Sequence, residues 1–231
     1  MLTLPVEAGT AGADPPARIL AIGRSETVLS ELVTILRERG YAAGATNEFD
    51  RTLDLFDAGQ LDLVIFGGMV PPDTKEHLQE QILARNPAVA FVQGYAGIPG
   101  LIAAQAQAAL SGAAGPTAAA TYHARSRSIG ISLDRPQHVT VIAWWHTSFA
   151  PPEPESTSRV ILDEELPTGA HTIAIPDQVP AQASFATVSI GPSAHAFIVG
   201  PMPSGTTMAR FPSPQAHSRR LADQPIQAAH P

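Results

Sequence analysis

The chain has 231 residues, 44% of them apolar, which suffices for two cored domains of about 100 residues each. Only 15% are charged, and a formal charge of −7 opposes a nucleic-acid partner, whose phosphates need clustered Arg and Lys. The absence of cysteine excludes disulfides, thiolate metal sites and a cysteine nucleophile.

Residues 1–16 are small, proline-containing and aperiodic, and predict a mobile leader. They lack the basic-then-apolar order of a signal peptide, and no run of about 18 apolar residues follows, so no membrane span is expected. A cytoplasmic protein is the default. Arg18, Ile19, Leu20, Ala21 and Ile22 then form an apolar run closed by Gly23. Ser25 can cap a helix with Glu26 in its first turn and Val28, Leu29, Leu32, Val33 and Leu36 on one face. Gly40 stands where such a helix stops. A second strand over 41–46 and a helix over 47–59, carrying Phe49, Leu53 and Phe56, come next.

Leu63, Val64, Ile65 and Phe66 are followed by Gly67, Gly68, Met69, Val70, Pro71 and Pro72. That is the pattern of a buried parallel strand whose loop opens at the carboxyl edge of a sheet. Asp73 and Glu76 have capping-box spacing for a third helix bearing Leu78 and Ile82. Asn86 and Pro87 end it, Val89, Ala90, Phe91 and Val92 give a fourth strand, and 98–110 an alanine-rich helix. Four (βα) units with short links predict an open parallel sheet with helices on both faces.

Residues 17–112 resemble a response-regulator receiver domain, of flavodoxin-like architecture, in element order and strand ends. In that family two or three apolar residues precede a phosphate-accepting aspartate, with proline four positions later. Pro71 is in place, and Gly67 stands where the aspartate would be. The acidic pair that holds magnesium corresponds to Gly23 and Arg24, and the Thr or Ser ending the fourth strand to Gln93. The family's lysine has no counterpart, since the only lysine is Lys75, placed on the third helix. Glycine supplies neither a magnesium ligand nor a carboxylate nucleophile, so the resemblance implies a pseudo-receiver without the switch. The fifth strand and helix are not found. The edge left at 89–92 needs a cover, and Thr121, Tyr122, His123 and Ala124 are the nearest stretch able to add a strand.

Gly23, Gly67, Gly68 and Gly94 fall at strand ends, where glycine permits tight turns or close approach of an anion. Together with Arg24 and Ser25 they form the candidate site for a nucleotide or flavin, although neither GxGxxG nor GxxxxGK[ST] is present.

Beyond Leu110 the composition changes. Residues 113–120 read as a linker. From 121 to 200, alternating runs through Ile129, Ile131 and Leu133, through Val139, Val141, Ala143 and Trp145, and on to 197–199 predict an all-β sandwich of about seven strands. Leu166, Gly169, His171 and Ile173 resemble the L-x-x-G-x-H-x-(apolar) hairpin of immunoglobulin-like domains of the flagellar hook-capping type. That resemblance implies an adhesive or spacing module without catalytic residues. His138, His146, His171 and His195 lack HxH or HExxH spacing, so no metal site is expected. Neither is a cofactor or a catalytic residue, as no GxSxG or other nucleophile motif occurs. Trp144 and Trp145 face opposite sides of one strand, so one fills the core while the other is covered by the neighbouring domain or displayed to a protein partner. Residues 201–231 are aperiodic, carry a net charge of +2 and predict a disordered tail. The reading is a non-enzymatic regulatory or interaction protein, with partner identity and oligomeric state not legible.

Overall fold

The computed structural model describes residues 1–7, 15–111, 118–148, 155–191 and 193–201. Strands β1 (Thr3–Glu7), β2 (Arg18–Ile22), β3 (Ala42–Thr46), β4 (Leu63–Phe66) and β5 (Ala90–Gln93) form one sheet in the order β1-β3-β2-β4-β5. The pairs β2–β3, β2–β4 and β4–β5 are parallel, as four consecutive (βα) units require. Part of the expected leader is instead β1, which pairs antiparallel with β3 from Thr3↔Thr46 to Glu7↔Ala43. Pro5 lacks the N–H an interior strand would need, and an edge strand tolerates that. Close approach depends on Gly44, where a Cβ would lie 2.6 Å from the Leu4 carbonyl oxygen.

Helix α1 (Glu26–Glu38) begins at Ser25, whose Oγ accepts from the Val28 N–H at 3.1 Å. It ends in a Schellman motif: Gly40 N–H donates to Arg37 O, Tyr41 N–H to Leu36 O, and Gly40 takes φ +86°. The expected helix over 47–59 is broken into turns around α2 (Thr52–Leu55). Phe56 is extended, and the Asp57 carboxylate accepts from Gly59 N–H, so a side chain competes with the helical ladder. Helix α3 (Pro72–Arg85) starts before the expected cap: Pro71 is the N-cap, and no side-chain cap bond forms. Proline suits the first helical position, where the N–H has no helical partner.

The two sheet faces bury different sets. Ile19, Ala21 and Ile65 pack with Leu29, Leu32 and Leu36 of α1 and with Ile102, Ala103 and Ala106 of α4 (Pro99–Ser111). Leu20, Ile22, Val64 and Phe66 pack with Phe56, Leu78 and Ile82 on the other side. Helix α4 is buried over most of its first two turns, so it has no single apolar stripe.

Of the expected linker, 113–117 lie outside the described residues, and Ala118 already begins a strand. Strands β6 (Ala118–His123), β7 (Ser128–Leu133) and β10 (Gly169–Ala174) form one antiparallel sheet in the order β10-β7-β6. The other comprises β8 (Gln137–Ser148), β9 (Glu155–Leu166), β11 (Ser184–Ile190) and β12 (Ser193–Gly200), in the order β12-β11-β8-β9. Their inward residues share a core: Ile129, Ile131 and Leu133 of β7 with Val139, Val141, Ala186, Val188 and Ile190. Among the described residues this region contains seven strands, as the alternation predicts. The L-x-x-G-x-H segment is not a hairpin, because β9 pairs with β8 while β10 pairs with β7. It is a corner between sheets, turned at Gly169 (φ +133°). Thr121, Tyr122 and His123 pair with β7 rather than covering β5. The predicted tail lies, after Pro201, outside the described residues.

Candidate functional site

The carboxyl edge of the α/β sheet is where such a fold carries its chemistry, and the six candidate residues fall there. The ladder continues one residue past each strand. Gly23 N–H donates to Thr46 O at 3.2 Å, Gly67 N–H to Ile22 O at 2.8 Å, and Gly94 N–H to Phe66 O at 2.9 Å. Three backbone donors suggested for an anion are thus spent on neighbouring strands. Gly23 and Gly67 abut: a Cβ on Gly67 would lie 3.3 Å from Gly23 Cα and 3.4 Å from Ile22 O. Gly94, on the adjacent strand end, is buried with Ile102 where a Cβ would lie. Arg24 and Gly68 are exposed, and the Ser25 hydroxyl caps α1. The Glu26 carboxylate takes the amide of Asn47 at 3.0 Å, so the start of α1 already holds a negative group.

Position 93 organises a network without a carboxylate that the sequence alone did not reveal. Gln93 Nε2 donates to Phe66 O at 2.8 Å, and its Oε1 accepts from Lys75 Nζ at 2.7 Å. The lysine reaches this edge from α3, and burial lowers its pKa. Gln105 of α4 completes the network: its Oε1 accepts from Tyr95 N–H at 2.9 Å and its Nε2 donates to Gln93 O at 3.2 Å. A signal for it existed, since a glutamine within an otherwise apolar, buried helix demands a partner.

Immediately beyond, residues 94–98 fold back through two left-handed positions, Ala96 (φ +56°) and Gly97 (φ +65°). Tyr95, Ala96, Ile98 and Leu101 bury together with Phe185 of β11, and Trp144 and Ala196 pack on them. Tyr95 and Phe185 stack with ring centroids 6.4 Å apart. The structure separates the two tryptophans as their alternation requires. Trp145 packs on the β-domain core, whereas Trp144 turns to α4, donates from Nε1 to Thr187 Oγ1 at 3.0 Å and lies against Gly100. Both rings, suggested as a partner surface, are therefore half-buried within the chain.

The four histidines do not converge. His138 pairs with Asp163 at 2.9 Å, both exposed, and the His171 ring lies 2.7 Å from Pro167 O. His195 stacks on Phe197, and His146 sits between β9 and Ala96. Among the described residues no group of three His, Cys, Asp or Glu side chains could hold a metal, and no helix is long and apolar enough to cross a membrane. Two shallow grooves lie elsewhere, one lined by Pro5, Arg18 and Phe56, the other by Phe49, Asp73 and His77.

Fold and site together define an α/β sheet domain joined at its carboxyl edge to an antiparallel two-sheet β domain. No family model matches the chain, and no curated protein matches it.

Proposed function

We propose that the chain is a non-catalytic regulatory or protein-interaction protein, built from a pseudo-receiver and an immunoglobulin-like sandwich. The carrying observation is the carboxyl edge: backbone packs on backbone at Gly23 and Gly67, and Gln93, Lys75 and Gln105 satisfy one another without a carboxylate. A receiver's phosphoryl chemistry needs acids at those places. The parallel strands support the scaffold: numbered by order of appearance, they stand 2-1-3-4, the order of a flavodoxin-like sheet short of its last strand. In the β domain the first, second and fifth strands form one sheet and the fourth, third, sixth and seventh the other. An immunoglobulin constant domain differs only in which sheet takes the fourth strand. The edge then works as a junction, because residues 94–98, the segment next to a receiver's switch, are held against Phe185.

The test is incubation with acetyl phosphate and magnesium, read by intact mass, alongside calorimetric titration with nucleotides and flavins. No phosphoryl adduct and no saturable heat are expected. A stoichiometric acid-labile adduct would overturn the pseudo-receiver, and saturable binding lost in Arg24→Ala would favour the anion site instead.

A further inference from the structure

Strand β5 ends the sheet, and its outer side is only partly closed. Ala90 N–H donates to Asp62 O and Gly94 N–H to Phe66 O, so the even-numbered residues face β4. In a parallel ladder the alternate residues then face outward. Of these, Gln93 O and Tyr95 N–H are taken by the Gln105 amide, which offers one acceptor and one donor as a neighbouring strand's peptide would. Next to them, Phe91 N–H and C=O and Gln93 N–H have no partner among the described residues. The strand is half-buried along its length and carries no charged side chain, so the usual protections of an edge are missing.

We propose that this edge accepts residues 206–211 of the same chain as a sixth, antiparallel strand. Three observations select that occupant. First, three hydrogen bonds link the end of the described chain to the turn that follows β5: Pro201 O accepts from Ala183 N–H, Ala183 O accepts from His146 N–H, and the His146 ring bonds the backbone of Ala96. Five extended residues from Pro201 to Thr206 reach about 17 Å. A chain arriving at the carboxyl end of β5 and running back along it is antiparallel without any crossover, as β1 already is at the opposite edge. Second, residues 202–231 carry +2, with Arg210, Arg219 and Arg220 against Asp223, whereas 1–111 carry −6, seven basic residues against thirteen acidic. A second copy of the chain would bring a further −7 instead. Third, Thr206, Thr207, Met208, Ala209, Arg210 and Phe211 are a run without proline or glycine, bounded by Gly205 and Pro212, and rich in residues that favour strands.

Residue-resolved amide exchange on the full chain tests this. The Phe91 and Gln93 amides are expected to exchange at least about tenfold more slowly than in the variant Met208→Pro, Ala209→Pro, which removes donors in either register. The Val92 and Gly94 amides face β4 and serve as controls that must stay protected in both. A second measurement uses the absence of native cysteine. Ala90→Cys, combined in turn with a single cysteine at each of positions 206–211, is expected to give an intramolecular disulfide at one or two of them. Equal exchange of Phe91 and Gln93 in both proteins overturns the proposal. So does a disulfide that forms only between chains, with a dimer in sedimentation, since that assigns the edge to a second copy. The acetyl phosphate result is independent of all these outcomes.

Discussion

Gly100→Ala probes the joint between the two halves with a single methyl group. A Cβ at position 100 would run into the six-membered ring of Trp144. The indole is not free to yield, because Nε1 is tied to Thr187 Oγ1 at 3.0 Å and its neighbours Leu101 and Phe185 are fully buried. Overpacking of this kind costs about 1–3 kcal/mol. Against it stands the helix preference of Ala over Gly, at most about 1 kcal/mol and less in a first turn. A net loss of about 1–2 kcal/mol follows, or roughly 2–8 °C in Tm for a chain of this size. Trp144→Ala alone removes a half-buried ring, for about 2 kcal/mol, below the range of a fully buried tryptophan. In the double variant the methyl group enters the vacated space, so the two losses should fall short of additivity by about 1 kcal/mol or more. The assay is urea denaturation followed by far-UV circular dichroism and tryptophan fluorescence. Coincident transitions are expected for the parent, and separating ones for Gly100→Ala, if this joint is what makes the halves unfold together. A Gly100→Ala chain within about 0.5 kcal/mol of the parent, with an additive cycle, would refute the packing argument.

Gly44→Val should unseat β1, since its Cβ would meet the Leu4 and Val6 backbone at 2.6–2.7 Å; fast exchange of Ala45 and other strand amides next to β1 would report it. Gln105→Leu removes the acceptor of Tyr95 N–H and the donor to Gln93 O, and should cost about 1–3 kcal/mol by denaturation. Gly40→Ala forces a side chain into φ +86° and should cost about 1 kcal/mol, while Gly68, with open space around it, should accept alanine with little effect on the urea midpoint. Burial lowers the pKa of His146 and of His195, so the unfolded chain binds more protons as pH falls below the ordinary imidazole value. Their contribution is therefore complete above about pH 6.5 and lost as pH falls through the folded values. Urea midpoints at about pH 7.5 and 5.5 should show a smaller drop in His146→Gln, His195→Gln than in the parent.

What the sequence disclosed depended on whether one residue's neighbours in the chain decide its conformation. Ser25 and Gly40 do their work within four residues, and both were legible. The apolar runs of β2 and β4 were legible because both faces are covered, so Ile19–Ile22 and Leu63–Phe66 are buried throughout. Strand β1 was not, since its register depends on a glycine about forty residues away and its proline argues against a strand locally. Strand β9 has a run of apolar residues only at Val160, Ile161 and Leu162, yet it extends from Glu155 to Leu166. Its Asp163, Glu164 and Glu165 are exposed at a sheet edge, where charge is compatible with a strand but gives no alternation to read. The broken segment after β3 shows the opposite error: the spacing of Phe49, Leu53 and Phe56 suits a helix, and the Asp57 carboxylate, accepting from Gly59 N–H and the Gln60 side chain, outcompetes it.

The edge itself was legible by what it lacks. Gly67 and Gln93 could be placed at strand ends from the pattern alone, and neither residue carries a carboxylate. What fills the edge was hidden, because Lys75 and Gln105 reach it from two helices on opposite faces of the sheet. Nothing in their spacing relates them, and only the strand order β2-β4-β5 brings them to one carbonyl and one amide. The tryptophan pair lies between these cases. Alternation fixes that the rings part, but which way each points follows from the register of β8 against β11, where Ala186 opposite Ala143 sets the inward face. Trp145 then shares that inward side and Trp144 the outward one, which α4 covers. A side chain that looks like display in sequence becomes a joint once a buried helix needs a second wall. Helix α4 needs one because its first two turns offer no polar face to water.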